Sequence, residues 1–133
     1  MNTNIRQCLL SDVEILREIG LETFDETFRP MNSPETMDRY LIESFSLEKL
    51  TQEVGNTYCN FYFIYSDSKL AGYLKINYAP AQSDINDSES VEVERIYVRK
   101  EHKGKGLGKV LMEYAFQQAR DLLFERNIIS FYG

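Results

Sequence analysis

The sequence predicts one α/β domain, 1–133, in which an antiparallel hairpin leads into a parallel pair of strands and helices flank the mixed sheet. Segments rich in β-branched and aromatic residues, at 60–66, 70–78 and 91–98, are typical of strands. Other segments carry apolar residues every three or four positions, as helices do. A glycine-rich turn follows the third of these strands and leads into a long helix, and such a helical crossover is what parallel pairing requires.

The first third of the chain is predicted to form a strand and three helices. Asn4–Leu9 is a short candidate strand. Ser11 and Glu14 have the spacing of a capping box, in which a hydroxyl and a carboxylate satisfy free amides at a helix start. The apolar side of the helix that follows is Val13, Leu16, Gly20, Phe24 and Phe28.

The next two helices are predicted to begin at serines. Ser33 precedes Pro34, and a hydroxyl cap followed by proline at the first helical position is a common helix start. Ser46 begins a further helical turn or two, which ends at Gly55. The apolar face of the Ser33 helix is Met37, Leu41 and Phe45, with Tyr40 beside them.

A hairpin and a long loop lead to the central strand. Strands at Asn60–Ser66 and Leu70–Tyr78 are joined by a turn at Asp67 and Ser68. Segment 79–90 is polar and long for a hairpin connection, so it is either a functional loop or a plain solvated one. Its acidic residues, which would attract a polycation, are Asp84, Asp87 and Glu89.

The central strand, 91–98, changes its apolar phase between Val93 and Ile96. A single extra residue in one strand produces such a change. The sequence therefore predicts a β-bulge near Glu94 and Arg95.

Residues 100–110 have the composition of an anion site. Lys100 to Lys105 is polar and cationic, and a helical apolar stripe begins at Leu107 and continues to about Phe124. Backbone amides can turn toward one point here because glycine tolerates positive φ and has no Cβ. Free amides at a helix start bind anions, pyrophosphates in particular. The glycines are Gly104, Gly106 and Gly108.

Two common glycine motifs are excluded. A P-loop would need glycine at Lys103 and a hydroxyl at Val110. A dinucleotide fingerprint would need its third glycine at Lys109 or Leu111. What remains is a basic residue and two glycines before a helix, for which a tight turn without a ligand is the alternative interpretation.

The run from Lys103 to Gly108, after a strand that ends Ile96-Tyr97-Val98, resembles the acyl-CoA motif of the GCN5-related N-acetyltransferases (GNAT family). In that family Arg or Gln is followed by two residues, Gly, one residue, and Gly or Ala. Lys103 keeps the charge but not the planar head group. Other segments are similar to the bacterial PaiA-type spermidine/spermine N-acetyltransferases: Leu21-Glu22-Thr23-Phe24, Thr27-Phe28, Asn32-Ser33-Pro34-Glu35, Phe63-Ile64-Tyr65, Ala71-Gly72-Tyr73 and Glu94-Arg95-Ile96-Tyr97.

The resemblance implies an acyl-CoA N-acyltransferase fold that moves an acetyl group from acetyl-CoA, as co-substrate, to a primary amine such as that of spermidine or spermine. The pantetheine would pair with backbone along the central strand, and an amide of the bulge would polarise the thioester. The pyrophosphate would lie on the amides before the long helix. The coenzyme-binding residues implied are Ile96, Tyr97, Val98, Lys103, Gly104, Lys105, Gly106, Leu107, Gly108 and Lys109.

A protonated amine must lose a proton before it attacks the thioester, so the chemistry needs a base, acting directly or through water. Glu94, on the central strand, is the candidate catalytic residue, ahead of Glu92. The alternative is that both are ordinary strand carboxylates, with Glu94 paired to a cation.

Asn127–Tyr132 is expected to be the parallel strand beside the central one, after which the fold would lack its C-terminal helix and hairpin. A second interpretation places Tyr132 on that later helix, as the proton donor to the leaving thiolate. The catalytic apparatus would be incomplete either way, so the alternative function is an acyl-CoA-binding remnant. An uncovered sheet edge favours pairing with a second copy as a homodimer.

Composition limits the partners. A net charge of −6 and a pI near 4.8 disfavour nucleic acid and would attract a small cationic molecule, although many soluble proteins are acidic without such a ligand. Cys8, Cys59 and one histidine do not predict a metal site. The N-terminus has no long apolar run, so neither a signal peptide nor a membrane segment is expected, and the predicted location is the reducing cytoplasm.

Overall fold

The computed structural model describes residues 2–83 and 86–125. Short 3₁₀ turns lie at Leu10–Asp12, Arg29–Met31 and Lys100–His102. The helices and strands, in chain order, are β1 (Thr3–Gln7), α1 (Val13–Phe28), α2 (Pro34–Ser44), α3 (Leu47–Gly55), β2 (Cys59–Ser66), β3 (Lys69–Asn77), β4 (Glu92–Val98) and α4 (Leu107–Glu125).

The four strands form an antiparallel sheet in the order β1-β2-β3-β4. The predicted α/β class and the hairpin at Asp67 and Ser68 are confirmed, and both turn residues have positive φ, 50° and 69°. Such values match the strand twist in a two-residue hairpin. Asn127–Tyr132, predicted as the parallel partner of β4, lies outside the described residues, and so does Asp84.

Each face of the sheet has its own core. On one face α1, α2 and α3 cover Phe61, Phe63 and Tyr73. On the other face α4 packs through Leu107, Leu111 and Ala115 against a second group of sheet residues, Tyr62, Ile64, Leu74 and Ile76. Strand β3 therefore contributes alternate residues to both cores.

The cap predicted at Ser33 is confirmed, and Ser46, predicted only as the start of a short helix, also caps it. The amide of Thr36 donates to Ser33 Oγ at 3.2 Å, and the amide of Lys49 donates to Ser46 Oγ at 3.1 Å. Each cap satisfies one of the free amides at the start of α2 and α3.

The capping box predicted at Ser11 and Glu14 is wrong. Residues Leu10–Asp12 form a 3₁₀ turn that runs directly into α1, so Ser11 does not occupy an extended cap position. Asp12 supplies the capping carboxylate instead, because its Oδ2 accepts a hydrogen bond from the amide of Leu9 at 2.8 Å. The same carboxylate receives two bonds from Arg6, of 2.7 and 2.9 Å, which fasten β1 to the start of α1.

The β-bulge predicted near Glu94 and Arg95 is confirmed. Lys75 lies opposite Arg95, whereas the next residue of β3, Ile76, lies opposite Val93. Glu94 is thus the extra residue in β4.

Replacing Asp12 by Asn should lower the free energy of unfolding at pH 7 by about 1–2 kcal/mol, since a buried bidentate partner of Arg6 is lost. The hydrogen bond from Arg6 holds the pKa of Asp12 below its ordinary value. The carboxylate therefore stabilises the fold above its unfolded pKa, near ~4, and the stabilisation disappears as pH falls through the lowered folded pKa. Urea unfolding of both proteins from pH 2 to 7 should show the difference shrinking at the acidic end.

Asp38→Asn is the matched control, because Asp38 also pairs with an arginine but is exposed. An equal loss of stability in the two variants would contradict the role given to Asp12.

Candidate functional site

The bulge places Glu92, Glu94 and Arg95 of β4 on the sheet face covered by α1–α3. Glu92 lies opposite Asn77 and Arg95 lies opposite Lys75, and facing residues of paired strands share a face. Glu94, as the extra residue, contacts both partners on that face. Without the bulge, Glu94 and Arg95 would point to opposite faces.

Glu94 is held by three contacts. Its Oε1 lies 3.0 Å from Lys75 Nζ and accepts Asn77 Nδ2 at 2.8 Å, and its Oε2 lies 3.4 Å from Arg95 Nε. Burial opposes ionisation, but the charge of Lys75 and these hydrogen bonds outweigh it and lower the pKa of Glu94. Glu94 is therefore ionised at neutral pH and able to accept a proton.

Glu92 joins the 79–90 loop to the strand. Its Oε1 accepts Asn77 Nδ2 at 2.7 Å and the amide of Ser83 at 3.0 Å, while its Oε2 accepts Ser83 Oγ at 2.7 Å. Burial opposes ionisation here too, and the bonds from Asn77 and Ser83 lower the pKa of Glu92. The single amide of Asn77 thus links both carboxylates.

Arg95 is buried above an aromatic ring. Its guanidinium carbon lies 4.4 Å from the centre of the Phe45 ring, a cation–π distance. Phe45 can approach because Gly20 of α1 has no side chain: a Cβ there would lie 2.6 Å from Phe45 Cε1. Among the described residues no hydrogen-bond partner reaches Arg95 Nη1 or Tyr73 Oη, both buried.

The outer edge of β4 is open in the part of the chain that the structure describes. The amide of Arg99 donates to Ala71 O at 2.7 Å, toward β3. Backbone groups alternate in direction along a strand, so those of Tyr97 also face β3, whereas those of Ile96 and Val98 point to the outer edge.

The turn before α4 has the conformation that its glycines predict. Gly104 and Gly106 have φ of 83° and 76°, the left-handed region that favours glycine. Nothing lies within 4 Å of the position that a Cβ would take at Gly104, Gly106 or Gly108. The turn is therefore open to a ligand.

The start of α4 differs from that of α2 and α3. Those helices have a serine cap and a glutamate in the first turn, whereas α4 has no acidic residue there. Within residues 2–83 and 86–125, no side chain accepts a hydrogen bond from the amides of 104–109. An anion placed there would meet free amides and the positive end of the helix dipole.

An opening of about 550 Å³ lies beside the turn, between Lys69, Arg99 and Lys105. Lys105 Nζ lies 3.3 Å from Nδ1 of the buried His102. Arg99 pairs with Glu22 of α1 at 2.9 Å. The lysine side chains around the turn add their positive charge beside these amides.

The sequence did not reveal Lys75 and Asn77, which contact Glu94, or Glu53, which contacts Lys75. Lys75 Nζ also lies 3.3 Å from Glu53 Oε1 of α3. The signal was available, because Tyr73, Lys75 and Asn77 alternate along one strand face and are all buried. Asp87 and Glu89, predicted to attract a polycation, are exposed, and Asp87 accepts the amide of Glu89 at 2.9 Å.

Within residues 2–83 and 86–125, no group of three or more His, Cys, Asp or Glu side chains is arranged to hold a metal ion. None of the helices in the same ranges has the length and apolar character needed to cross a bilayer.

Residues 20–131 match the acetyltransferase (GNAT) family, and the chain belongs to that family. It is 41% identical over 103 residues to an uncharacterized N-acetyltransferase of the pepI 3′ region in Lactobacillus delbrueckii subsp. lactis, a match that covers 77% of this chain and 60% of that protein. It is 27% identical over 116 residues to a spermidine N(1)-acetyltransferase of Thermoplasma acidophilum, covering 84% and 67%. The chain thus spans 60–67% of these relatives.

The fold is also similar to that of a relative whose crystal structure has been solved. The crystal structure of PaiA N-acetyltransferase from Thermoplasma acidophilum, in complex with coenzyme A, matches with a TM-score of 0.75 and 26% identity, over 91% of this chain and 74% of that one. The family resemblance stated from the sequence is confirmed.

Gly20→Ala should destabilise the protein by about 1–2 kcal/mol, because the new methyl group would collide with Phe45 in a filled core. Alanine is the better helix former by about 1 kcal/mol, so a net loss reports the collision. Gly55→Ala, where nothing lies within 4 Å, is the control and should not destabilise. Urea unfolding of both variants measures this, and a stabilised Gly20→Ala would refute the packing argument.

Proposed function

We propose that the protein transfers an acetyl group from acetyl-CoA to a primary amine. The observation that carries the proposal is that the open amide turn before α4 follows the strand β4, whose bulge holds an ionised carboxylate. Family membership and the coenzyme A complex of the PaiA relative support it.

The coenzyme's pyrophosphate would lie on the turn before α4. The amides of Gly104, Lys105, Gly106, Leu107, Gly108 and Lys109 are the proposed donors, whereas Lys103, whose amide donates to Lys100 O at 3.3 Å, would contribute its side-chain charge. The positive φ values and the empty space around the glycines support this assignment, and the three lysines add attraction for a diphosphate.

The pantetheine would pair with the outer edge of β4. Ile96 and Val98 direct their backbone groups there, as an added strand requires. Tyr97 directs its backbone to β3, so its contact with the coenzyme would come from its half-buried ring.

Glu94 would accept the proton of the acceptor amine, directly or through water. The freed nitrogen attacks the thioester carbonyl, the C–N bond forms, the C–S bond breaks and the thiolate leaves. The amide of Arg95 or Ile96, beside the bulge, would stabilise the oxyanion. Glu92, linked to Glu94 through Asn77, is the second candidate base.

The proposed acceptor is a polyamine such as spermidine. The name of the Thermoplasma relative and the acidic charge of the chain support a cationic acceptor. Lys75 and Arg95 neutralise part of the acidic charge at the bulge, so a polycation would also need carboxylates farther out on this face.

We further propose that the protein forms a homodimer that pairs through a sheet edge. The proposed location is a reducing cytoplasm, which suits the free and buried Cys8 and Cys59.

A second candidate is coenzyme binding without turnover. The chain spans 60% of one curated relative, and the features that would bind the coenzyme, the turn before α4 and the outer edge of β4, need no base. The turn before α4 supports binding under both candidates.

Mixing the protein with acetyl-CoA and spermidine should release free thiol, and Glu94→Gln should lower the rate about a hundredfold, within the range of general-base catalysis. Glu48→Gln, an exposed residue of α3, is the control and should leave the rate unchanged. Thiol release is followed with a chromogenic disulfide. Binding of coenzyme A without turnover would leave the second candidate, and a Glu94→Gln rate equal to wild type would remove Glu94 as the base.

Gly106→Val should weaken coenzyme A binding at least tenfold, because a side chain would stand where the pyrophosphate meets the amides. Calorimetric titration measures the affinity, and thermal unfolding without coenzyme measures the backbone strain that positive φ imposes on valine. Gly55→Ala is the control for binding. Unchanged affinity in a folded Gly106→Val protein would refute the turn as the pyrophosphate site.

A further inference from the structure

Lys75 is the most deeply buried charged side chain of residues 2–83 and 86–125, with 3% of its surface exposed. No step of the proposed acetyl transfer uses it. Burying an ammonium costs several kcal/mol unless it is well paired, and an apolar side chain of similar size is often at least as stable. Packing alone therefore does not explain a lysine here.

The charged groups around Lys75 come from three elements. Glu53 of α3 lies 3.3 Å from Nζ, and Glu94 of β4 lies 3.0 Å from it. Arg95 lies directly opposite on β4, and Glu92 is near enough for the charge of Lys75 to lower its pKa. From β2, the Phe61 ring centre lies 5.3 Å from Nζ, and the Cys59 thiol is also near.

The two carboxylate contacts of Lys75 differ. Lys75 Nζ lies 3.0 Å from Glu94 Oε1, which Asn77 also contacts, and 3.3 Å from Glu53 Oε1, which has no hydrogen-bond partner among the described residues. Glu94 is therefore the nearer and better fixed of the two carboxylates, and the charge of Glu53 keeps the ammonium in place from the other side.

We propose that Lys75 is a positioning residue for the reaction, whose ammonium fixes the Glu94 carboxylate at the bulge. The proposal rests on the proposed function, in which Glu94 accepts the proton. A fixed cation within 4 Å keeps a carboxylate ionised to lower pH. Lys75 would thus extend the working range of the base toward acid, while Asn77 sets its direction.

Lys75→Met tests the proposal, because methionine keeps much of the volume and removes the charge. The acidic limb of the kcat/KM profile with spermidine should move to higher pH by about one unit, since an adjacent opposite charge lowers a carboxyl pKa by about 1–3 units. At pH 7, where Glu94 stays ionised in both proteins, kcat should fall about tenfold because the carboxylate loses its fixed position. Lys75→Arg should restore part of the rate, and Lys49→Met, exposed on α3, should match wild type.

A second measurement does not depend on turnover. Side-chain carboxyl carbons are titrated by ¹³C NMR in wild type and Lys75→Met, with Glu94 assigned from Glu94→Gln. Glu94 should titrate at higher pH in Lys75→Met. Glu53→Gln keeps the lysine and should shift Glu94 less, and it serves with Lys75→Arg if Lys75→Met does not fold.

An unshifted Glu94 titration, or an acidic limb that stays in place while activity falls, would overturn the inference and leave Lys75 a structural residue. A wild-type chain that binds coenzyme A but turns over no acetyl-CoA would instead refute the proposed function, while the NMR comparison still decides whether Lys75 holds Glu94.

Discussion

The extra residue in β4 is the constraint on which the site depends. In a regular strand, neighbouring side chains point to opposite faces, so a carboxylate and a guanidinium at consecutive positions could not both lie beneath α1–α3. One inserted residue, Glu94, removes that restriction, and Glu92, Glu94 and Arg95 then gather on one face. The same irregularity leaves backbone amides of the bulge without regular partners in the ladder, beside the side chains that carry the charge.

The gathered charges are stable only because each is paired. Lys75 neutralises Glu94, Arg95 lies over Phe45 and beside Glu94, and Asn77 donates to two carboxylates at once. Removing one member of such a group leaves its partner buried and unpaired, which costs more than the pair contributes. The arrangement is thus rigid by necessity, and rigidity is what a group that accepts a proton in a fixed direction requires.

Local signals in the sequence were enough for the cap at Ser33, the helix start at Ser46, the Asp67-Ser68 turn, the bulge and the glycine turn, since each depends on a few adjacent residues. The start of α1 was predicted wrongly, because the choice between Ser11 and Asp12 was decided by Arg6 on a separate strand. The partners of Glu94, which are Lys75 and Asn77, were missed for the same reason, and so was Glu53, which pairs with Lys75. These residues come from other elements, and sequence spacing does not show which of them meet.

Strand β3 faces two cores, with Leu74 and Ile76 toward α4 and Tyr73, Lys75 and Asn77 toward the charged group. A single strand therefore separates the apolar core beneath α4 from the core beneath α1–α3, which also contains the charged group. Consecutive residues of β3 meet different requirements: those that face α4 must fill volume, and those that face the charged group must keep its charges balanced. A substitution in β3 therefore disturbs one core or the other, so we expect substitutions there to be accompanied by compensating ones in α3, α4 or β4.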